Sequence, residues 1–230
     1  MKEFIMESSL FGVVLSLAAF QVGAFIRKKT GISFLTPLVT ATAIIIVFLV
    51  IADIDYEVYN EGASLLRYFL TPATVCLAVP LYQKLQILKE NFAAVIIGIV
   101  SGVFTSVLSI LACCLLFKLD HEMYVTLLPK SITTAIGISV SEEFGGIVAL
   151  TTAAIIIAGN IGGMFAEIVF KVFRIKEPIS KGLALGTASH VMGTSKAMEI
   201  GDVEGAMGSL AIAVAGIITV IVLPFFANII

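Results

Sequence analysis

The chain of 230 residues is 59% hydrophobic and 13% charged, with a formal net charge of −2. Soluble domains carry about 25% charged residues, so this chain is too poor in charge to cover a water-facing surface. It also lacks the basic footprint of a nucleic-acid-binding protein.

The length allows one domain, 1–230, embedded in the bilayer. Apolar runs long enough to cross, about 20 residues each, predict helices over 8–26, 33–52, 62–82, 92–117, 147–170 and 205–228. Before the first run stand Lys2, Glu3 and Glu7, and its basic cluster Arg27-Lys28-Lys29 follows it. That polarity is the reverse of a signal peptide, so the run reads as a retained helix. Cys76, Cys113 and Cys114 sit in apolar runs, two of them adjacent, which predicts neither a disulfide framework nor a zinc site.

Two semi-apolar segments, 123–145 and 182–203, are too rich in Gly, Ser, Thr and charge for lipid-facing helices. Basic residues gather in three connections: Arg27, Lys28, Lys29; Lys84, Lys89; and Lys171, Arg174, Lys176, Lys181. Connection 53–61 is acidic. The positive-inside bias places the basic connections in the cytoplasm and both termini outside. Segment 123–145 then starts and finishes outside, and 182–203 starts and finishes inside. The expectation is an all-α membrane protein: about six transmembrane helices plus two opposed re-entrant hairpins, with crossing broken helices as the alternative. Residues 1–118 read as scaffold and 119–230 as hairpin-plus-helix repeats. Ser131 to Ser139 aligns with Thr187 to Ser195, pairing Gly137 with Gly193 and Ser131 with Thr187. Such an inverted repeat suits alternating access.

Irregular backbone at membrane depth must be buried in protein or line a wet cavity. Lys130 follows Pro129, a residue suited to the first turn of a helix, which would set the ammonium beside free N–H groups that favour an anion. Ser131, Thr133 and Thr134 add hydroxyl donors. Ser189, His190, Thr194, Ser195 and Lys196 are expected to complete the site from the facing hairpin. Asn160, within Gly159-Asn160-Ile161-Gly162-Gly163, is expected to bond a hairpin tip and to belong to the binding set. His190, Glu142 and Glu199 are the candidates for coupling. Lys196 has a second reading, as a simple ion-pair partner of Glu199 or Glu142. Two distant histidines match no zinc spacing, and no G-x-S-x-G or H-E-x-x-H occurs. No metal, cofactor or enzyme activity is expected, only a small-anion site.

At Leu128-Pro-Lys-Ser-Ile-Thr-Thr134, Leu185-Gly-Thr-Ala-Ser-His190, Gly193-Thr-Ser-Lys-Ala197 and Gly205-Ala-Met-Gly-Ser-Leu210, the chain resembles the LrgB/CidB family. Many members carry Pro after the Thr-Thr pair, where this chain has Ala135. The resemblance implies either of two functions at the cell membrane. One is transport of small monocarboxylates of the pyruvate, glycolate and glycerate type. The other is holin- or antiholin-like control of murein hydrolases and lysis. The implied partners are a small carboxylate, the lipid bilayer, a small LrgA/CidA-type membrane protein and a second copy of the chain as a dimer.

Overall fold

The computed structural model describes residues 10–30, 37–69, 72, 75, 76 and 78–230, and its ordered elements are all helical. The chain divides into two compact units, Met1–Cys76 and Leu77–Ile230.

In the first unit, α1 (Phe11–Thr30) and α2 (Pro37–Ala52) are followed by short α3 (Tyr56–Gly62) and α4 (Ser64–Tyr68). Helix α2 opens on Pro37, whose missing N–H costs nothing there, and its sequence is apolar all round. Gly23 lies against the Pro37 carbonyl while the rings of Phe11 and Phe48 are 6.5 Å apart, so the two helices run antiparallel. Glycine is required at Gly12, where a methyl would stand 2.5 Å from the Tyr59 carbonyl oxygen. That close approach lets Ser16 Oγ reach the Tyr59 hydroxyl at 2.8 Å. Arg27, Lys28 and Lys29 occupy the last turn of α1, where cations complement the helix dipole.

The second unit holds α5 (Ala78–Gln83), α6 (Leu85–Glu90), α7 (Phe92–Phe117), α8 (His121–Leu127), α9 (Thr134–Glu143), α10 (Val148–Val172), α11 (Pro178–Ile200) and α12 (Asp202–Ala227). Helices α1, α7, α10 and α12 are long and apolar enough to cross a membrane, and α2 is a shorter apolar helix. The expected span 62–82 differs: its described residues include the short helices α4 and α5, and residues 70, 71, 73, 74 and 77 lie outside the described set. Pro72 and Pro80 supply no N–H to an i→i−4 ladder in this stretch.

Segment 123–145 is a re-entrant hairpin. Asp120 caps α8 by accepting from the Met123 N–H at 2.9 Å. The chain turns at Leu128–Ser131 and returns as α9. The return is held where it began. The Ile147 N–H donates to Thr126 Oγ1 at 2.8 Å, Thr151 Oγ1 donates to the Thr126 carbonyl at 2.9 Å, and the hydroxyls of Ser141 and Thr151 are 2.6 Å apart. The tip reaches Ser106, halfway along α7.

Segment 182–203 is the second hairpin, although its backbone looks like one helix. His190 has φ 41° and ψ −129°, which breaks α11 into arms on either side of it. In a straight helix, Leu185 and Gly193 would be about 12 Å apart at 1.5 Å per residue; here Gly193 lies against the Leu185 carbonyl. Both arms flank α12. Gly182 meets Glu204 and Gly186 meets Gly208 on the way in, and Thr194 meets Gly208 and Met198 meets Gly205 on the way out. Returning to the same level of α12 excludes a crossing broken helix.

The hairpins enter from opposite ends. The first is tied to the start of α10, whereas the second, with Lys196 on Glu167, is tied to its far half. Helix α12 runs the other way and ends beside the first hairpin, where Tyr124 OH donates to the Phe226 carbonyl at 2.9 Å. Each hairpin is therefore followed by a long helix of opposite direction. The aligned glycines are equivalent in space: Gly137 sits against the Pro129 carbonyl and Gly193 against the Leu185 carbonyl, in both cases eight positions earlier. Two apolar clusters hold this arrangement. Val95, Ile99 and Val103 of α7 pack with Ala206, Met207 and Leu210, and Val107, Ile110 and Cys114 pack with Tyr124, Leu223 and Ala227.

Candidate functional site

Lys130 lies in the turn that ends α8, with its N–H bonded to the Leu127 carbonyl at 3.1 Å. Helix α9 begins later, at Thr134, with Thr133 in the capping position and no side-chain cap bond. Pro129 therefore belongs to the turn and not to the first turn of the half-helix, which corrects the expected local geometry. Proline following the first arm cannot extend it, because its ring and missing N–H oppose an interior helical position. The first N–H groups of α9 still open toward the turn without intrahelical partners.

The Lys130 ammonium is half-buried. It donates to Ser131 Oγ at 2.9 Å and approaches Ser106 Oγ at 3.4 Å, and the two hydroxyls are 3.0 Å from each other. These groups stand at one end of a cavity of about 680 Å³ along α7, whose other end is near Asn91 and Glu177. Small-molecule sites fall in the range of about 300–1,000 Å³. Ser101, Thr105, Ser106 and Ser109 of α7 and Thr187 of the second hairpin add hydroxyls to its walls. Thr187 Oγ1 is buried and has no hydrogen-bond partner among the described residues. A buried hydroxyl without a partner is costly, which makes this atom available to a ligand. Glycine at 102 is required by the same packing, since a methyl there would lie 2.7 Å from Thr187 Cγ2.

Sequence reasoning missed the α7 hydroxyls and Thr187. Ser101, Thr105 and Ser109 recur every four residues in an otherwise apolar span, and that face-forming spacing was the available signal. Thr187 was visible only as the repeat partner of Ser131. Both now face α7, Ser131 at Ser106 and Thr187 at Gly102.

The other expected residues are spread more widely. Thr133 and Thr134 are half-buried at the start of α9. His190 is buried and its Nε2 is 2.9 Å from the Ile155 carbonyl oxygen. A carbonyl only accepts, so Nε2 carries the proton. Ser189 is buried against Gly162. Thr194 Oγ1 is buried beside Gly208, without a partner among the described residues, and Ser195 is exposed. Lys196 turns to Glu167 Oε1 at 2.6 Å and to Glu199 Oε2 at 3.5 Å. None of Asn160, Ser189, His190, Thr194, Ser195 and Lys196 lines the Lys130 cavity. The second hairpin presents its first arm there instead, through Leu183, Ala184 and Thr187. Asn160 Nδ2 donates to the Ile156 carbonyl of its own helix at 2.9 Å; the hairpin tip is held by His190. Glu142 is exposed at the end of α9, away from Lys196, and Glu199 is exposed.

The arrangement is one cation among hydroxyls at a hairpin tip. Such a set can bind the charge of a small anion with the ammonium and satisfy neighbouring oxygens with hydroxyl donors. Among the described residues no group of three or more His, Cys, Asp and Glu side chains is placed to hold a metal ion.

Residues 16–229 match the model of the LrgB-like family. The antiholin-like protein LrgB of Bacillus subtilis (strain 168) is 40% identical over 229 residues, covering 98% of this chain and 99% of that protein. The antiholin-like protein LrgB of Bacillus cereus (strain B4264) is 40% identical over 217 residues, covering 94% of each. No solved structure matches the chain. Neither the family description nor these names denote an enzyme. With near-complete coverage, and with several apolar helices long enough to cross a bilayer, this multi-pass membrane protein belongs to the LrgB-like family.

Proposed function

We propose that the chain carries small monocarboxylates of the pyruvate, glycolate or glycerate type across the cell membrane, binding them at Lys130. The observation that supports this most is the ammonium of Lys130 at a re-entrant tip, facing a hydroxyl-lined cavity. A lysine at membrane depth costs about 2.5–3.5 kcal/mol even on the lenient scale, and an anion offsets that cost. Ser131, Thr133 and Thr134 with the N-terminus of α9, and Thr187 across the cavity, complete the reading. Opposed hairpins of opposite polarity suit alternating access. The whole chain acts as one membrane domain. Lys84, Lys89, Lys171, Arg174, Lys176 and Lys181 favour the cytoplasm for their side, with the C-terminus outside.

A second reading is favoured by the names of the relatives, which are antiholin-like. In it the protein restrains lysis together with an LrgA-type membrane partner, as a homodimer or mixed assembly. Flux of pyruvate and glycolate into proteoliposomes, with and without that partner, separates the two. Saturable flux from the chain or the pair supports the carrier. A folded protein that carries neither acid in either setting overturns it, and partner-dependent lysis control without flux then leaves the antiholin-like role.

A further inference from the structure

The last turn of α10, the connection to α11 and the base of the second hairpin border a second, open cavity of about 470 Å³. It shares no lining residue with the Lys130 cavity, whose far end, at Glu177 and Ser180, opens on the other face of the same helix start. Four cations surround it: Lys171, Arg174, Lys176 and Lys181. Its apolar wall is Phe170, Ile175 and Ile200, which pack in one cluster with Leu185 and Ala197 of both hairpin arms. Glu167, the acid at its edge, is already engaged by Lys196 at 2.6 Å. None of the four cations forms an ion pair with a described residue. Four cations without an ion-pair partner among the described residues, with Glu177 beside Lys176 as the nearest acid in the chain, stand over an apolar wall at the end of a membrane-crossing helix; the set matches a molecule that is anionic at one end and hydrocarbon at the other.

The backbone fixes where one of these cations stands. Helix α10 ends in a Schellman turn: the Ile175 N–H donates to the Phe170 carbonyl at 2.8 Å and the Arg174 N–H to the Lys171 carbonyl at 3.3 Å. The left-handed position of this motif favours glycine, yet Arg174 holds it at φ 56°. Asp53 and Lys118 hold the same position at the ends of α2 and α7, so the turn by itself does not mark a site. What Arg174 adds is a guanidinium at the rim of the cavity.

We infer that this cavity binds the phosphate headgroup of an anionic phospholipid, with the acyl chains along the lipid-facing side of α10. Basic pockets between helices at a membrane face bind such headgroups. Because its walls belong to both arms of the second hairpin, the bound lipid braces the hairpin base and ties its seating to the charge of the leaflet. The site does not depend on what the Lys130 cavity binds.

The purified full chain is equilibrated with mixed micelles of phosphatidylglycerol and phosphatidylcholine, and retained lipid is read by native mass spectrometry. Wild type is expected to retain phosphatidylglycerol selectively. The variant carrying Lys171→Gln, Arg174→Gln, Lys176→Gln and Lys181→Gln is expected to lose at least about tenfold of that selectivity, and Lys118→Gln at the opposite face none. Arg174→Gly provides the control for folding: selectivity falls several-fold while the thermal midpoint holds or rises. Equal retention of both lipids by wild type, or undiminished selectivity in the fourfold variant, overturns the assignment. So does displacement of the lipid by millimolar inorganic phosphate, which would make this a site for the free anion.

Discussion

The Nε2 of His190 lies 2.9 Å from the carbonyl oxygen of Ile155, and the side chain of that same Ile155 touches Gly137. One residue of α10 thus meets both hairpins, the tip of the second through its backbone and the returning arm of the first through its side chain. In the proposed carrier, a movement of either hairpin would reach the other through this residue.

Lys130 is expected to govern substrate affinity. Lys130→Ala should lower flux of a two- or three-carbon carboxylate at least about tenfold, the loss of one charge-assisted hydrogen bond worth about 1.5–3 kcal/mol. Lys130→Arg should keep part of it. Flux and affinity unchanged in the alanine variant would remove Lys130 from the site.

Lys196 provides the contrast. Its partner is Glu167, whose side chain is 59% exposed, so the pair should contribute at most about 1 kcal/mol. Lys196→Gln is expected to shift the thermal midpoint slightly and to leave substrate affinity intact. A loss of affinity as large as that of Lys130→Ala would return Lys196 to the binding set.

The two repeat glycines should respond differently to alanine. At Gly193 the new methyl meets the backbone carbonyl of Leu185, which cannot yield without reopening the hairpin, whereas at Gly137 it meets the terminal Cδ1 of Ile155. Overpacking costs about 1–3 kcal/mol, with Gly193→Ala at the upper end. Ile155→Val removes the obstructing atom and should rescue Gly137→Ala but not Gly193→Ala, as read by thermal unfolding in detergent.

His190 occupies a backbone region that costs about 1–3 kcal/mol for a side chain. His190→Gly relieves that strain but loses the Ile155 bond, so its stability should stay near wild type. His190→Ala loses the bond and keeps the strain, and should be less stable by about 2 kcal/mol. Equal stability of the two variants would show that the backbone at position 190 carries no such strain.

Topology is tested by labelling single cysteines in a background lacking Cys76, Cys113 and Cys114. Phe173→Cys, beside the basic turn, should react from the cytoplasm, and Glu143→Cys from outside. Labelling of both from one face would contradict the opposed hairpins.

The chain by itself determined that this is a helical membrane protein and where its two unusual segments lie. Transfer of apolar surface from water depends on composition and run length, and both are local properties of Phe92–Phe117, Val148–Val172 and Asp202–Ala227. The pairing of Gly137 with Gly193 was also legible from the repeat, but the reasons differ: the first arm of the second hairpin excludes a side chain at Gly193, whereas Ile155 of α10 excludes one at Gly137. Tertiary structure alone decided which residues share the cavity. Lys130 and Lys196 look alike in sequence, each a cation in a Ser- and Thr-rich segment. Yet Lys130 faces Ser106 of α7 and Lys196 faces Glu167 of α10. That difference comes from the face each arm turns to its neighbour, set by the packing of small residues such as Gly102, Gly186 and Gly208 between helices distant in the chain.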